Sequence, residues 1–317
     1  MNDIIDKIKQ SNNIILLCHN NPDGDAVGST LSMYHALKKI NKAVDIIIDS
    51  APTKFDFIEG FEDIKPSSDK KYKLGLILDT SSEERINASS DILKNIEEIV
   101  VIDHHISNTK YGSINYVDNK PACCEIMYNL IKEMNIEIDE KIATALVSGI
   151  LSDTGGLAHP DVLPSTYQTV GTLSTIVDIP PIYKKVLGTI TMGQFELNKI
   201  ATKNLEFHKD NQITFTYITE EDLNTLGLER NEVDFIANIG RNIKGVEIAI
   251  FVRRYKEENR VSLRSNNVDV NEVAKIFNCG GHKNAAGISS TMDFALLKEK
   301  LIEEAGKKID EWNISNK

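Results

Sequence analysis

Ile99-Val100-Val101-Ile102-Asp103-His104-His105 is the stretch whose reading decides the fold. Four branched apolar residues in a row suit a strand buried on both faces, and the run stops abruptly on a carboxylate and two imidazoles. The same design recurs on either side. Leu74-Gly75-Leu76-Ile77-Leu78 ends on Asp79, and Ile14-Ile15-Leu16-Leu17-Cys18 is followed by His19. Val44-Asp45-Ile46-Ile47-Ile48 is a further strand, and a helix-like stretch from about Asp25 to Ile40 separates it from the first. Strands alternating with helices predict parallel βαβ units and an N-terminal α/β domain built on a doubly wound, mainly parallel sheet. Helices are expected to dominate from Pro121 to about Leu205. The second half changes character. Gln212–Ile218, Glu247–Arg253 and Arg260–Ser265 read as strands and Asp293–Trp312 as a terminal helix, which gives a smaller α/β C-terminal domain. The expected division is residues 1–190 for the first domain, 191–205 for a connecting helix or linker, and 206–317 for the second.

The bulk numbers bound the function. Hydrophobic residues make up 41% of the 317, enough for each half to bury a core, and charged residues are an ordinary 26%. The net charge of −11 argues against a protein that coats long nucleic acid, because such proteins are usually basic. It is compatible with a nucleotide enzyme whose acidic cluster is reversed locally by bound cations. Cys18, Cys123, Cys124 and Cys279 contain no C-x-x-C pair, so a cysteine zinc site is not expected. Met1–Gln10 is polar and amphipathic, without the apolar stretch of a signal peptide, and no run is long enough to span a bilayer. A cytoplasmic protein with reduced thiols and no membrane partner is the expectation.

The acids and histidines fall into four clusters, each at or just beyond the end of an apolar run. They are His19-Asn20-Asn21-Pro22-Asp23-Gly24-Asp25, Asp79-Thr80-Ser81, Asp103-His104-His105, and Asp153-Thr154-Gly155-Gly156 after Val147–Leu151. In open parallel sheets ligands bind outside the carboxyl ends of the strands, so clusters far apart in sequence can converge there. Taken singly, each has a bland reading. An Asp at a strand end often caps the next helix, and a lone His is usually a satisfied loop residue. Together they offer mixed imidazole and carboxylate ligands, which suit a divalent ion such as Mn²⁺. Six candidate ligands are too many for one ion that must keep open positions. They suit two ions sharing a bridging carboxylate, a pair able to generate hydroxide near neutral pH and to neutralise a phosphoryl transition state.

These residues resemble the DHH phosphoesterase superfamily, whose eponymous motif is matched by Asp103-His104-His105. His19-x-x-x-Asp23-x-Asp25 matches its first motif, Asp79 its second and Asp153 its fourth. Asn278-Cys279-Gly280-Gly281-His282-Lys283-Asn284-Ala285-Ala286-Gly287 is similar to the glycine-rich signature of the DHH-associated C-terminal domain. The resemblance spans nearly the whole chain and is nearest to the nano-RNase and pAp phosphatase group. It implies an Mn²⁺-dependent exonucleolytic hydrolase in which a bridging hydroxide cleaves short oligoribonucleotides to 5′-mononucleotides and converts 3′-phosphoadenosine 5′-phosphate (pAp) to AMP and phosphate. One metal would be held by His19, Asp23 and Asp79, the other by Asp25, Asp79, His104 and Asp153. Asp103 would orient the site, and His105 would meet the scissile phosphate or assist the leaving group. The second domain would grip substrate across a cleft between the domains. Gly280 and Gly281 can bring backbone N–H groups close to a phosphate or ribose, His282 can donate, and Arg264 can form a bidentate contact. Lys283 and Asn284 are lesser candidates, and Arg253-Arg254 reads as a solvated pair, with lining of the cleft by one of them as the alternative. Relatives are often dimers, which carries over as an expectation of a homodimer.

Two departures bear on substrate. Leu157-Ala158-His159 stands where relatives often carry an aromatic and a basic residue, so a substrate contact is expected to be lost or moved to His159. Cys279 replaces a glycine of the signature. The alternatives are a cyclic di-AMP or linear dinucleotide (pApA) phosphodiesterase and, less favoured, a non-catalytic nucleotide-binding protein. A RecJ-like exonuclease is usually larger, and an inorganic pyrophosphatase of the superfamily lacks the Gly-Gly-His signature.

Overall fold

The computed structural model describes residues 1–230 and 233–316. The chain forms two compact units, Met1–Thr189 and one that starts at Ile190.

The first unit is built on a parallel sheet of six strands: β1 (Asn13–Leu17), β2 (Ala43–Ile47), β3 (Ile64–Lys65), β4 (Leu74–Leu78), β5 (Ile99–Asp103) and β6 (Ile114–Val117). Their order is β3-β2-β1-β4-β5-β6, and every pairing is parallel. The strand order reverses between β1 and β4, and at such a switch point the loops leave in opposite directions and open a crevice at the strands' carboxyl ends. All five residues of β4 are buried, as its unbroken apolar run requires of a strand covered on both faces.

The helices of this unit are α1 (Asn2–Gln10), α2 (Gly24–Lys39), α3 (Ser90–Lys94), α4 (Cys123–Glu133), α5 (Glu140–Asp153), α6 (Pro164–Leu173) and α7 (Ile179–Tyr183). α2 is buried along most of its length, which explains why it lacks a polar stripe. It packs against α5 through glycines. A Cβ on Gly28 would lie 2.5 Å from the Ala145 carbonyl oxygen, and one on Gly149 would lie 3.1 Å from the Asp25 Cα. That close approach carries the start of α2 and the end of α5 to one place.

The second unit holds α8 (Met192–Lys203), β7 (Glu206–His208), β8 (Ile213–Thr219), α9 (Glu220–Leu226), α10 (Ala237–Arg241), β9 (Ile248–Arg254), β10 (Asn259–Ser265), α11 (Asn271–Ile276), β11 (Gly280–His282), β12 (Ala285–Ser290) and α12 (Phe294–Ser315). Its sheet order is β11-β12-β10-β9-β8-β7, antiparallel except for the β8–β9 pair. One face is apolar: Phe215, Ile250, Val261 and Ile288 pack with Leu297 and Leu301 of α12. On the other face Ile218 and Phe251 pack with Leu197 of α8 and Leu223 of α9.

No helix among the described residues is long and apolar enough to cross a membrane.

Candidate metal centre

His19 follows β1 and Asp79 follows β4, so these two flank the switch point. Asp103 is the last residue of β5, the next strand along. Asp23 caps α2, its Oδ1 accepting from the amides of Asp25 and Ala26 at 3.0 and 3.1 Å. That leaves Oδ2 facing His19. Asp153 enters differently from the expectation of an acid after a strand-like run. It is the last residue of α5, delivered by the helix that crosses α2.

The side chains converge on Asp79. Its Oδ2 lies 3.6 Å from His19 Nε2, and its Oδ1 lies 3.2 Å from His104 Nε2. One buried carboxylate thus stands between two imidazoles. His19 Nε2 is also 3.8 Å from Asp23 Oδ2, and His104 Nε2 is 3.5 Å from Asp153 Oδ2. Three sets of ligand atoms gather within 4.8 Å of one another: His19, Asp23 and Asp79; Asp25, His104 and Asp153; and Asp79, Asp103, His104 and His105.

Both imidazoles are held from behind. His19 Nδ1 donates to the Asn20 carbonyl at 2.8 Å, and His104 Nδ1 donates to the Lys120 carbonyl at 2.9 Å. A ring that donates from Nδ1 turns its Nε2 lone pair toward the carboxylates, which is the tautomer of a metal ligand. Asp25 is fully buried and accepts from the first two amides of α4, those of Cys123 and Cys124. The helix N-terminus stabilises its charge in place. Nothing in the spacing of Asp25 announces this use of the Cys123-Cys124 pair.

Electrostatics follow from this crowding. Burial opposes a proton on His19, but Asp23 and Asp79 override it and push its pKa up to about 10. Burial likewise opposes charge on His104, and Asp79, Asp25 and Asp153 push it up to about 11. Burial alone would raise Asp79, yet His104 and His19 hold it well below the usual carboxylate range. Burial, and then the charge of Asp79, pushes Asp25 up to about 7, and burial followed by Asp25 raises Asp153 well above its ordinary value. The pocket draws in positive charge wherever it can.

A divalent cation fits this donor set. Asp79 Oδ1 and His104 Nε2 are buried and face each other, yet neither completes a hydrogen bond with any described group. Buried polar atoms are rarely left so. Carboxylates that draw a proton onto His104 Nε2 offer the same place to a divalent cation, which would displace that proton and take up the Nε2 lone pair.

The Asp103-His104-His105 triplet divides. The strand ends at Asp103, so strand alternation no longer governs the histidines, and both rings turn toward the site with centroids 4.4 Å apart. Asp103 is fully buried and saturated with donors. Its Oδ1 accepts from the His104 amide and from His105 Nδ1, each at 2.8 Å, and its Oδ2 accepts from Asn108 Nδ2 at 2.6 Å. Asn108 was not legible as a site residue. It is a short polar residue in a loop, with no periodicity to mark it.

Of the residues expected to grip substrate, Arg264 and His282 lie in one row across the second unit's sheet. Arg264 pairs with Ala285, and Ala285 with His282. Directly opposed residues share a face, so these two side chains flank a small alanine on one side of the sheet. The neighbouring row on that face runs Ser262, Gly287, Gly280. A Cβ on Gly287 would meet nothing nearer than 3.9 Å, so the floor beside Arg264 and His282 is low.

Gly281 departs from expectation. It lies on the opposite face, its amide already donates to Asn271 Oδ1 at 2.9 Å, and a Cβ there would lie 2.5 Å from the Ala285 carbonyl oxygen. It is a glycine for strand packing, and its N–H is not available to a phosphate. Asn284 is similarly committed, donating to the Ser265 and Asn266 carbonyls. Of Arg253 and Arg254, the second is solvent-exposed and the first is partly buried. Arg253 donates to Ser262 Oγ on the Arg264 face, while Arg254 stacks on Phe294 at 4.1 Å on the other. His159 is exposed, with Nδ1 donating to the Asp153 carbonyl at 2.8 Å.

Comparison with known proteins agrees with this architecture. The model of the DHH family, N-terminal domain, matches residues 13–150, and that of the DHHA1 domain matches residues 210–314. A bifunctional oligoribonuclease and PAP phosphatase NrnA of Thermus thermophilus is 28% identical over 311 residues, covering 92% of this chain and 88% of that protein. The crystal structure of an exopolyphosphatase-related protein from Bacteroides fragilis superposes with a TM-score of 0.85 at 24% identity, covering 98% of this chain and 95% of that one. RecJ of Thermus thermophilus, crystallised with Mn²⁺, shares the fold more distantly, with a TM-score of 0.57 at 14% identity over 96% of this chain and 54% of its own. The chain therefore carries a DHH family N-terminal domain followed by a DHHA1 domain.

Proposed function

We propose that this protein is a metal-dependent phosphoesterase that hydrolyses short oligoribonucleotides to mononucleotides and removes the 3′-phosphate of pAp. The observation that carries the reading is Asp79, a single buried carboxylate whose two oxygens face His19 and His104 separately. The NrnA relative, similar over nine-tenths of the chain, supports the choice of substrate.

In this reading His19, Asp23 and Asp79 hold one divalent ion, and Asp25, Asp79, His104 and Asp153 hold the second, with Mn²⁺ the ion of choice for a mixed imidazole and carboxylate set. Bound there, such ions screen the phosphate charge and lower the pKa of water. The chain's own residues supply the rest. Asp103 fixes His105 by accepting from its Nδ1, which leaves Nε2 as the atom that meets substrate: it accepts a proton as the neutral ring and donates one to a departing oxygen as the imidazolium. Arg264 and His282, on one face of the second sheet, grip a phosphate of the substrate, and Gly287 keeps the floor beside them clear.

The test is a length series of RNA from two to ten nucleotides, with pAp and cyclic di-AMP in parallel and Mn²⁺ present. Mononucleotide release is expected from the shortest substrates and phosphate release from pAp. Cleavage of cyclic di-AMP alone, or of long strands alone, would reject the proposal.

A further inference from the structure

The structure assigns Asn108 a role as a positioning residue of the metal centre: it ties the turn that carries Asp79 to the carboxylate that orients His105. The inference rests on reading the Asp79 cluster as a metal centre and goes beyond it to a residue that offers no ligand.

The bonding of Asn108 is complete and unambiguous. Its Oδ1 accepts from the Lys110 amide at 2.7 Å, so its NH₂ group must point the other way. That NH₂ group donates to Asp103 Oδ2 at 2.6 Å and to the Thr80 carbonyl at 3.0 Å. Two more bonds join the same segments: Tyr111 Oη donates to the Thr80 carbonyl at 3.1 Å, and the Thr109 amide donates to the Ser81 carbonyl at 2.9 Å. The segment 108–111, just after the histidine pair, is therefore laced to the segment 79–81.

That lacing matters because of what Asp79 does. Its backbone is left-handed, with φ +53°, a conformation that a residue with a side chain keeps only when its surroundings insist. The carbonyl that Asn108 and Tyr111 hold belongs to the next residue. Releasing it lets the Asp79 turn relax, and the carboxylate that faces both imidazoles moves with it. The same loss removes the Oδ2 donor from buried Asp103, which then holds His105 less firmly. One amide thus governs the geometry of the shared ligand and the setting of the imidazole. Residues that hold metal ligands in place typically change metal affinity by roughly 10- to 100-fold when removed.

The experiment titrates Mn²⁺ into the full-length protein by calorimetry and records thermal unfolding of the metal-free forms alongside. Asn108→Ala should weaken Mn²⁺ binding by roughly 10-fold or more. With pAp at saturating metal its kcat should fall while KM stays within about twofold, because a positioning loss acts on the reacting geometry rather than on substrate grip. Tyr111→Phe removes one hydroxyl from the same carbonyl and should weaken Mn²⁺ binding by a smaller factor of roughly 2- to 5-fold. It decides the matter alone if Asn108→Ala does not fold. A lower melting temperature with Mn²⁺ affinity unchanged would overturn the proposal and leave Asn108 a plain loop staple. Absence of Mn²⁺ binding by the unaltered protein would remove the metal reading itself, a result that no variant can mimic.

Discussion

Asp79 combines three properties that rarely meet in one residue: nearly complete burial, a left-handed backbone, and a carboxylate whose oxygens serve two different histidines. If it is the ligand common to two ions, Asp79→Ala removes several kcal/mol of transition-state stabilisation, which corresponds to a loss of roughly 10³-fold in turnover. Steady-state hydrolysis of pAp with saturating Mn²⁺ checks this, and retention of about a tenth of normal activity would sink the shared role. The residue types of the cluster are plain in the sequence because imidazoles and carboxylates at the ends of apolar runs have few other employments. Their partners are not. Asn108 and the Lys120 carbonyl act through hydrogen bonds between loops, and a backbone carbonyl carries no residue identity at all. Gly281 illustrates the reverse error: a glycine beside a histidine suggests ligand approach, while its own neighbouring strand is what excludes a side chain.

Among the elements, the strands of the first sheet were readable from their apolar runs because a strand buried on both faces needs little else. β11 was not, since Gly280-Gly281-His282 has no side-chain alternation to betray a strand and is defined only by its pairing to β12. β2 shows how a charge can sit on such a sheet. Asp45 is paired with Lys65 and Lys70 and accepts from Tyr72, linking β2 to β3 and to the segment that leads into β4. Burial would raise its pKa, but those donors more than offset it and bring it down to about 2. An unfolded Asp titrates near about 3.9. The pairing therefore stabilises the fold in full above that value, and its contribution is lost as pH falls toward about 2. Because both lysines are half-exposed, Asp45→Asn should cost only about 1 kcal/mol at neutral pH. Urea unfolding of both forms should show the gap narrowing from about pH 5 to about pH 3. A gap that widens on acidification would contradict the assignment.

At the scale of the molecule, each unit has its own apolar clusters, so each has the means to melt as a body of its own. The candidate imidazole and carboxylate ligands all lie in the first unit. Mn²⁺ at about 100 times its dissociation constant should stabilise that unit by about 2.7 kcal/mol. In scanning calorimetry one transition should rise by several degrees and fall back on adding a chelator, while the other stays in place. Equal movement of both transitions, or of neither, would count against a metal centre confined to the first unit. The sequence supports two domains through the change from long parallel-type runs to alternating strands, but it is silent on which acid does double duty in the scaffold. Asp25 does: the carboxylate grouped with His104 and Asp153 also holds the first turn of α4. A descendant of this chain that gave up its chemistry could discard Asp153 at small cost to its architecture, whereas discarding Asp23 would uncap α2 and discarding the buried Asp25 would unpin α4. In such a lineage Asp25 would outlast Asp153, a fossil of catalysis preserved by its service to folding.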